Sequence, residues 1–133
     1  MQDVSSTADA EWQSLSAVEG LALLGGFGSF RLRERAPSGL LYEVRYPAGV
    51  SSPEHAHDHD SIIYLLSGRL RGALNGREVV VEPGESVIHP LGVRHSVEAL
   101  LDSHWLEFKA PLPRRMPLDS VAATREIAVS SGG

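Results

Sequence analysis

Residues 55–61 read HAHDHDS and hold three of the chain's six histidines at alternate positions. On a β-strand, side chains at i and i+2 share a face and stand ~6–7 Å apart. Two imidazoles so placed can converge on one ion at ~2.1 Å from each nitrogen. His55 and His57 meet that spacing. His59 and Ser61 would continue the same face on an unbroken strand, but Asp58, His59 and Asp60 have the chemistry of a turn. The alternation is therefore followed only as far as His57. The competing reading is a polar loop that binds nothing.

Holding such a pair requires strands, and the surrounding sequence supplies them. From Gly39 onward, runs of four to eight residues rich in Val, Ile, Leu, Tyr and Phe alternate with Gly, Pro, Asn and Asp: GLLYEVRY, SIIYLLSG, RLRGAL, REVVVE, SVIH, HSVEAL and SHWLEF. Asn75-Gly76 between RLRGAL and REVVVE is the strongest hairpin signal, because a type I′ turn needs positive φ at both central residues. Before Gly39, glycines break up the apolar stretch after Trp12, so short strands fit better than a helix. Prolines at 111, 113 and 117 end strand pairing. The expectation is an all-β chain closed as a barrel or jelly roll. Residues 1–20 read as a partly disordered N-terminal arm, 21–112 as the barrel and 113–133 as a C-terminal tail that lies over the barrel, meets a second subunit or hangs loose.

The 133 residues suffice for one hydrophobic core without cross-links. There is no cysteine, which removes disulfides, thiolate nucleophiles and sulfur-ligated metals, so a metal here must be held by nitrogen and oxygen. The net charge of -5 argues against nucleic acid as a partner. No apolar run approaches the ~20 residues of a membrane span and the start lacks the order of a secretory signal, so a cytoplasmic protein is expected.

Two motifs then stand in order. Gly49, His55, His57, Ser61 and Gly68 resemble the first motif of the cupin superfamily, G-x5-H-x-H-x3-4-E-x6-G, and Gly84, Pro90, Gly92 and His95 resemble the second, G-x5-P-x-G-x2-H-x3-N, with Ala99 in the place of the Asn. The resemblance covers about residues 40–110. It implies a small single-domain cupin, a jelly-roll β-barrel (double-stranded β-helix), with one divalent metal held by His55, His57 and His95. Ser61 stands where the family has a glutamate ligand. The site is then a three-histidine centre with open coordination positions, or it gains a fourth ligand from His59 or Asp60, His59 being favoured if the turn bulges inward. Three-histidine cupins resembling this one occur among non-haem iron dioxygenases. HAHDHDSIIYLLSG and PLGVRHSVEALLDS are also similar to a group that includes pectin-degradation proteins linearising unsaturated uronates. The match weakens where Glu107, Phe108, Lys109, Ala110 and Pro111 lead into LPRRM.

Other residues carry weaker signals. Glu107 on the last strand would be a catalytic proton carrier if it faced the pocket, and an ordinary surface residue if it did not. His104 alternates with Leu106 and Phe108 in an apolar face and reads as a core histidine ahead of a pocket residue, with Trp105 on the opposite face, beside Glu107, as an interface candidate. Arg45 and Tyr46 can line the mouth, though a surface salt bridge suits Arg45 better. Tyr64 points out if Ser61 points in, and Arg94 points away from His95. His89 is expected at the surface or behind the ligands.

Function follows as an expectation: a metal-binding small cupin acting as a dioxygenase or isomerase on a small polar or carboxylate-bearing molecule, through one Fe2+, Zn2+, Mn2+ or Ni2+, and forming a homodimer. The alternatives are a non-enzymatic ligand- or metal-sensing module and a barrel without metal.

Overall fold

The computed structural model describes Val4 and residues 11–113. The tail from residue 114 on lies outside the described residues. Twelve strands follow in order: β1 (Gln13–Leu15), β2 (Ala17–Val18), β3 (Leu21–Ala22), β4 (Gly28–Ala36), β5 (Gly39–Tyr46), β6 (Ser51–His55), β7 (Asp60–Ser67), β8 (Leu70–Leu74), β9 (Arg77–Val81), β10 (Ser86–His89), β11 (His95–Ala99) and β12 (Ser103–Ala110). A six-stranded sheet runs β1-β4-β5-β12-β7-β10 and a four-stranded sheet runs β6-β11-β8-β9. All pairings are antiparallel, and the two sheets close a jelly-roll barrel around one apolar core. No helix among the described residues is long and apolar enough to cross a membrane.

The turns follow local chemistry. Asn75 and Gly76 both have positive φ, 52° and 82°, and close the β8–β9 hairpin as a type I′ turn. Gly68, at φ 96°, has no room for a side chain, because a Cβ there would overlap the Asp102 carbonyl oxygen.

Register decides which faces turn inward. Along β7, Ser61, Ile63 and Leu65 are buried while Ile62, Tyr64 and Leu66 are exposed. In β12, Trp105 lies opposite Val44 and Leu65, Glu107 opposite Tyr42 and Ile63, and Lys109 opposite Leu40 and Ser61. Directly opposed residues share a face. The buried rows of β5 and β7 therefore draw Trp105, Glu107 and Lys109 into the barrel.

This corrects the phase expected for β12. Trp105 is a core residue, 2% exposed and packed edge-on against Tyr46 at 4.8 Å between ring centroids, not an interface residue. Burying a large side chain of this kind contributes about 1.5–3 kcal/mol. His104 is not in the core: it lies on the outer face with Leu106 and Phe108, and its Nε2 meets Glu43 Oε2 at 2.6 Å. Burial would raise the Glu43 carboxyl, but hydrogen bonds from Arg31 and His104 hold it below the usual range. Arg45 also lies on that outer face, with its guanidinium 4.0 Å from the Trp12 ring centroid, rather than at the mouth.

Part of the stretch read as an N-terminal arm belongs to the sheets. β1 pairs with β4 and buries Leu15. β2 and β3 form a two-residue hairpin that touches β6, tied by paired hydrogen bonds between Leu24 and Ser51.

Candidate metal centre

His55 ends β6, His95 begins β11, and the two are cross-strand partners. His57 lies two residues beyond β6, where the chain has left the sheet but still faces the barrel. Ring centroids are 4.7 Å apart for His55 and His57, 4.3 Å for His55 and His95, and 4.9 Å for His57 and His95. All three residues are buried, and one ligand atom from each lies within 4.8 Å of the others.

The hydrogen bonds set the ring orientations. His55 Nδ1 donates to the Pro53 carbonyl at 2.7 Å and His95 Nδ1 to the Val93 carbonyl at 3.2 Å. A carbonyl oxygen only accepts, so Nδ1 carries the proton and the Nε2 lone pair is left for an ion. His57 Nδ1 meets the carboxylate Oε2 of Glu19 at 2.7 Å. Burial pushes the His55 pKa down; it pushes His57 and His95 to about 2, helped by the Lys109 charge at His57 and by His89 at His95. Three buried imidazoles, uncharged at neutral pH, match the donor set of a divalent ion such as zinc, iron, manganese or nickel.

His59 is also buried, but it sits in a different group. Its ring stacks on His57 at 4.3 Å between centroids, Nδ1 meets Asp58 Oδ1 at 3.1 Å, and Nε2 accepts from Lys109 Nζ at 3.1 Å. Its ligand atom lies within 4.8 Å of those of Glu19 and His57, not within the set of His55, His57 and His95. Burial, and then the Lys109 ammonium, lower its pKa. Asp60 is exposed and accepts from the Leu91 amide at 2.8 Å. His89 is buried, because it is opposite Ser61 in the β7–β10 pairing, and its ring stacks on His95 at 3.8 Å. Burial lowers its pKa to about 4. Arg94 is exposed on the far side, 3.5 Å from Glu54.

Ser61 is fully buried and donates to Glu107 Oε2 at 2.6 Å. The same carboxylate accepts from Trp105 Nε1 at 3.0 Å and pairs with Lys109 Nζ at 3.0 Å. Burial alone would raise its pKa, but the Lys109 charge and these donors hold it below the ordinary carboxylate range. Glu107 is thus an ionised, fixed carboxylate facing the cavity that His55, His57 and His95 also line. The free space in that cavity is about 60 Å³, room for an ion and a few small groups.

Two of these residues carry no strong signal in the sequence. Lys109 is placed by its parity with Glu107, two positions earlier on β12. Glu19 is 38 positions from His57 and reaches it only through the β2–β3 hairpin.

Residues 42–106 match the family model described as Cupin domain. The tetracenomycin polyketide synthase protein TcmJ of Streptomyces glaucescens is 38% identical over 64 residues, which are 47% of this chain and 43% of that protein, so the match spans less than half of the curated relative. Among solved structures, KdgF from Halomonas sp. superposes with a TM-score of 0.70 at 21% identity, covering 84% of this chain and 94% of that one. The polyketide cyclase RemF from Streptomyces resistomycificus gives 0.67 at 22% identity, covering 85% and 82%. These likenesses show the fold.

Proposed function

We propose, from the match of residues 42–106 to the family model described as Cupin domain, a metal-dependent enzyme that moves protons on a small polar, carbonyl- or carboxylate-bearing molecule. His55, His57 and His95 hold one divalent ion, which when bound supplies Lewis-acid polarisation of a substrate oxygen. The observation that carries the reading is the Glu107 carboxylate, paired with Lys109 and lining the same cavity as the three histidines. Glu107 takes a proton from substrate and returns it at a neighbouring atom, which is isomerase-type chemistry with no net oxidation. Ser61, Trp105 and Lys109 keep its oxygens in place, so that little reorganisation accompanies the transfer.

The cavity, with about 60 Å³ of free space beside the three histidines and Glu107, takes the reacting end of a substrate. An oxygen-rich molecule entering by a carboxylate or carbonyl suits it. The names of TcmJ, a polyketide synthase protein, and RemF, a polyketide cyclase, support a polycarbonyl substrate, whose ring closure needs proton removal beside a carbonyl. The reading includes a cytoplasmic location, and a homodimer, the latter supported by the exposed apolar side chains of Ile62, Tyr64, Ile88 and Phe108 on one outer sheet face.

The test is elemental analysis of protein purified without added metal, beside the variant His57→Ala, His95→Ala, followed by deuterium exchange into carbonyl acids. Stoichiometric metal in the wild type only, with exchange lost in Glu107→Gln, is the expected result. Equal emptiness of both proteins after dialysis against zinc, iron, manganese and nickel would remove the metal reading. Oxygen consumption with iron in place of proton exchange would move the activity to the dioxygenase class.

A further inference from the structure

We propose that Glu19, on the N-terminal hairpin and outside the matched cupin domain, is a positioning residue of the metal centre: it fixes the His57 tautomer and gives the site a negative charge that its ligand set lacks. This rests on the metal-binding reading above. The first observation is the contact itself, Glu19 Oε2 to His57 Nδ1 at 2.7 Å with the imidazole buried and the carboxylate mostly so. An acceptor at Nδ1 keeps the proton there and turns the Nε2 lone pair toward His55 and His95. An anionic acceptor also makes the imidazole a stronger donor to an ion.

A second, independent observation is backbone conformation. Glu19 has φ 51° and Gly20 φ 78°, so the two form a type I′ turn joining β2 and β3. Asn and Gly enter that conformation readily, whereas a glutamate in it is uncommon. Strain retained at one residue points to a role for its side chain. Here that side chain is the one in contact with His57.

The third observation is the asymmetry of the three ligands. His55 and His95 are anchored by the backbone carbonyls of Pro53 and Val93, two residues before each. Only His57 is anchored by a charged side chain. Ser61, neutral, stands where the resembled motif carries a glutamate, and the charge of Glu107 is balanced by Lys109. Glu19 is paired with no lysine or arginine among the described residues, so its carboxylate is the negative charge available to offset a divalent ion.

Three variants separate charge, reach and turn. Glu19→Gln keeps the reach and an accepting oxygen but loses the charge; Glu19→Asn suits the turn better and is too short to make the contact; Glu19→Ala loses both. Imidazole 15N spectra of zinc-free protein read the tautomer, and calorimetric titration with Zn2+ reads the affinity. The expected result is a His57 ring protonated at Nδ1 in wild type and Glu19→Gln, a tautomer mixture in Glu19→Asn and Glu19→Ala, and zinc affinity about 10- to 100-fold lower in Glu19→Asn with Glu19→Gln between. Wild-type affinity and an unchanged His57 spectrum in Glu19→Asn would overturn the proposal. A wild type that binds no zinc would remove the metal reading, and the spectra of the zinc-free proteins would still decide whether Glu19 sets the tautomer.

Discussion

Lys109 and Glu107 stand two residues apart on one strand and face each other inside the barrel, Nζ 3.0 Å from Oε2, with side chains 6% and 13% exposed. Neither charge is stable there alone. The lysine also donates to His59 Nε2 at 3.1 Å, so it ties the carboxylate in the cavity to the histidine stacked behind His57. Removing the lysine leaves a buried carboxylate served only by Ser61 and Trp105.

Lys109→Met is therefore expected to cost about 3–5 kcal/mol, as when one partner of a buried pair is deleted. Urea unfolding of the metal-free protein measures it. A midpoint equal to wild type would show that the pair contributes nothing to folding.

Glu107→Gln preserves the shape of the side chain and its contact with Trp105 but removes the base. Proton exchange on substrate should fall about 10²- to 10⁴-fold, while zinc content stays that of the wild type. Loss of zinc together with activity would instead assign Glu107 to the ligand set.

The buried histidines predict the pH dependence of the metal-free protein. His55, His57, His59, His89 and His95 all have pKa values pushed down by burial, His57 and His95 to about 2 and His89 to about 4. In the unfolded chain each takes up a proton near pH ~6.5, so below that value the unfolded state binds more protons. Stability is then fully present above pH ~6.5 and is lost on acidification, with a slope of up to ~1.4 kcal/mol per pH unit for each histidine. His89 stops adding to the slope below about 4, whereas His57 and His95 contribute down to about 2. Glu107 and Glu43, both held low, add loss of the same sign below pH ~4.5. Urea midpoints of chelator-treated protein at pH 8, 7, 6 and 5 should be level at first and then drop. A flat series would contradict the burial of these rings.

Trp105→Ala tests the phase of β12. A core tryptophan costs about 3–5 kcal/mol on truncation. An interface residue would change the association state and leave the unfolding free energy of the monomer nearly untouched. Thermal unfolding and sedimentation on the same sample separate the two.

On the outer face, Ile62 lies between Ile88 and Phe108, which are its cross-strand partners. Ile62→Glu should turn a dimeric wild type into a monomer in sedimentation velocity without loss of metal. A wild type that sediments as a monomer at micromolar concentration would remove the homodimer.

The sequence by itself determined what depends on neighbours a few positions apart. The two-residue spacing brought His55 and His57 to the barrel interior even though His57 lies just past the end of β6, and Asn75-Gly76 closes a hairpin because both residues accept positive φ. Ser61 inward with Tyr64 outward follows from the same alternation, and so does the succession of short strands. What only the tertiary structure decided depends on partners far along the chain. In β12, SHWLEFKA has apolar residues on both faces, so its pattern permits either phase, and the choice was made by the buried rows of β5 and β7 on either side. That choice moved Trp105, Glu107 and Lys109 inside and His104 out. His89 became the ring behind His95 because β10 pairs with β7 in the register that sets it opposite Ser61. Glu19 reached His57 across 38 positions because a hairpin folded against β6, and no local period records a contact of that length.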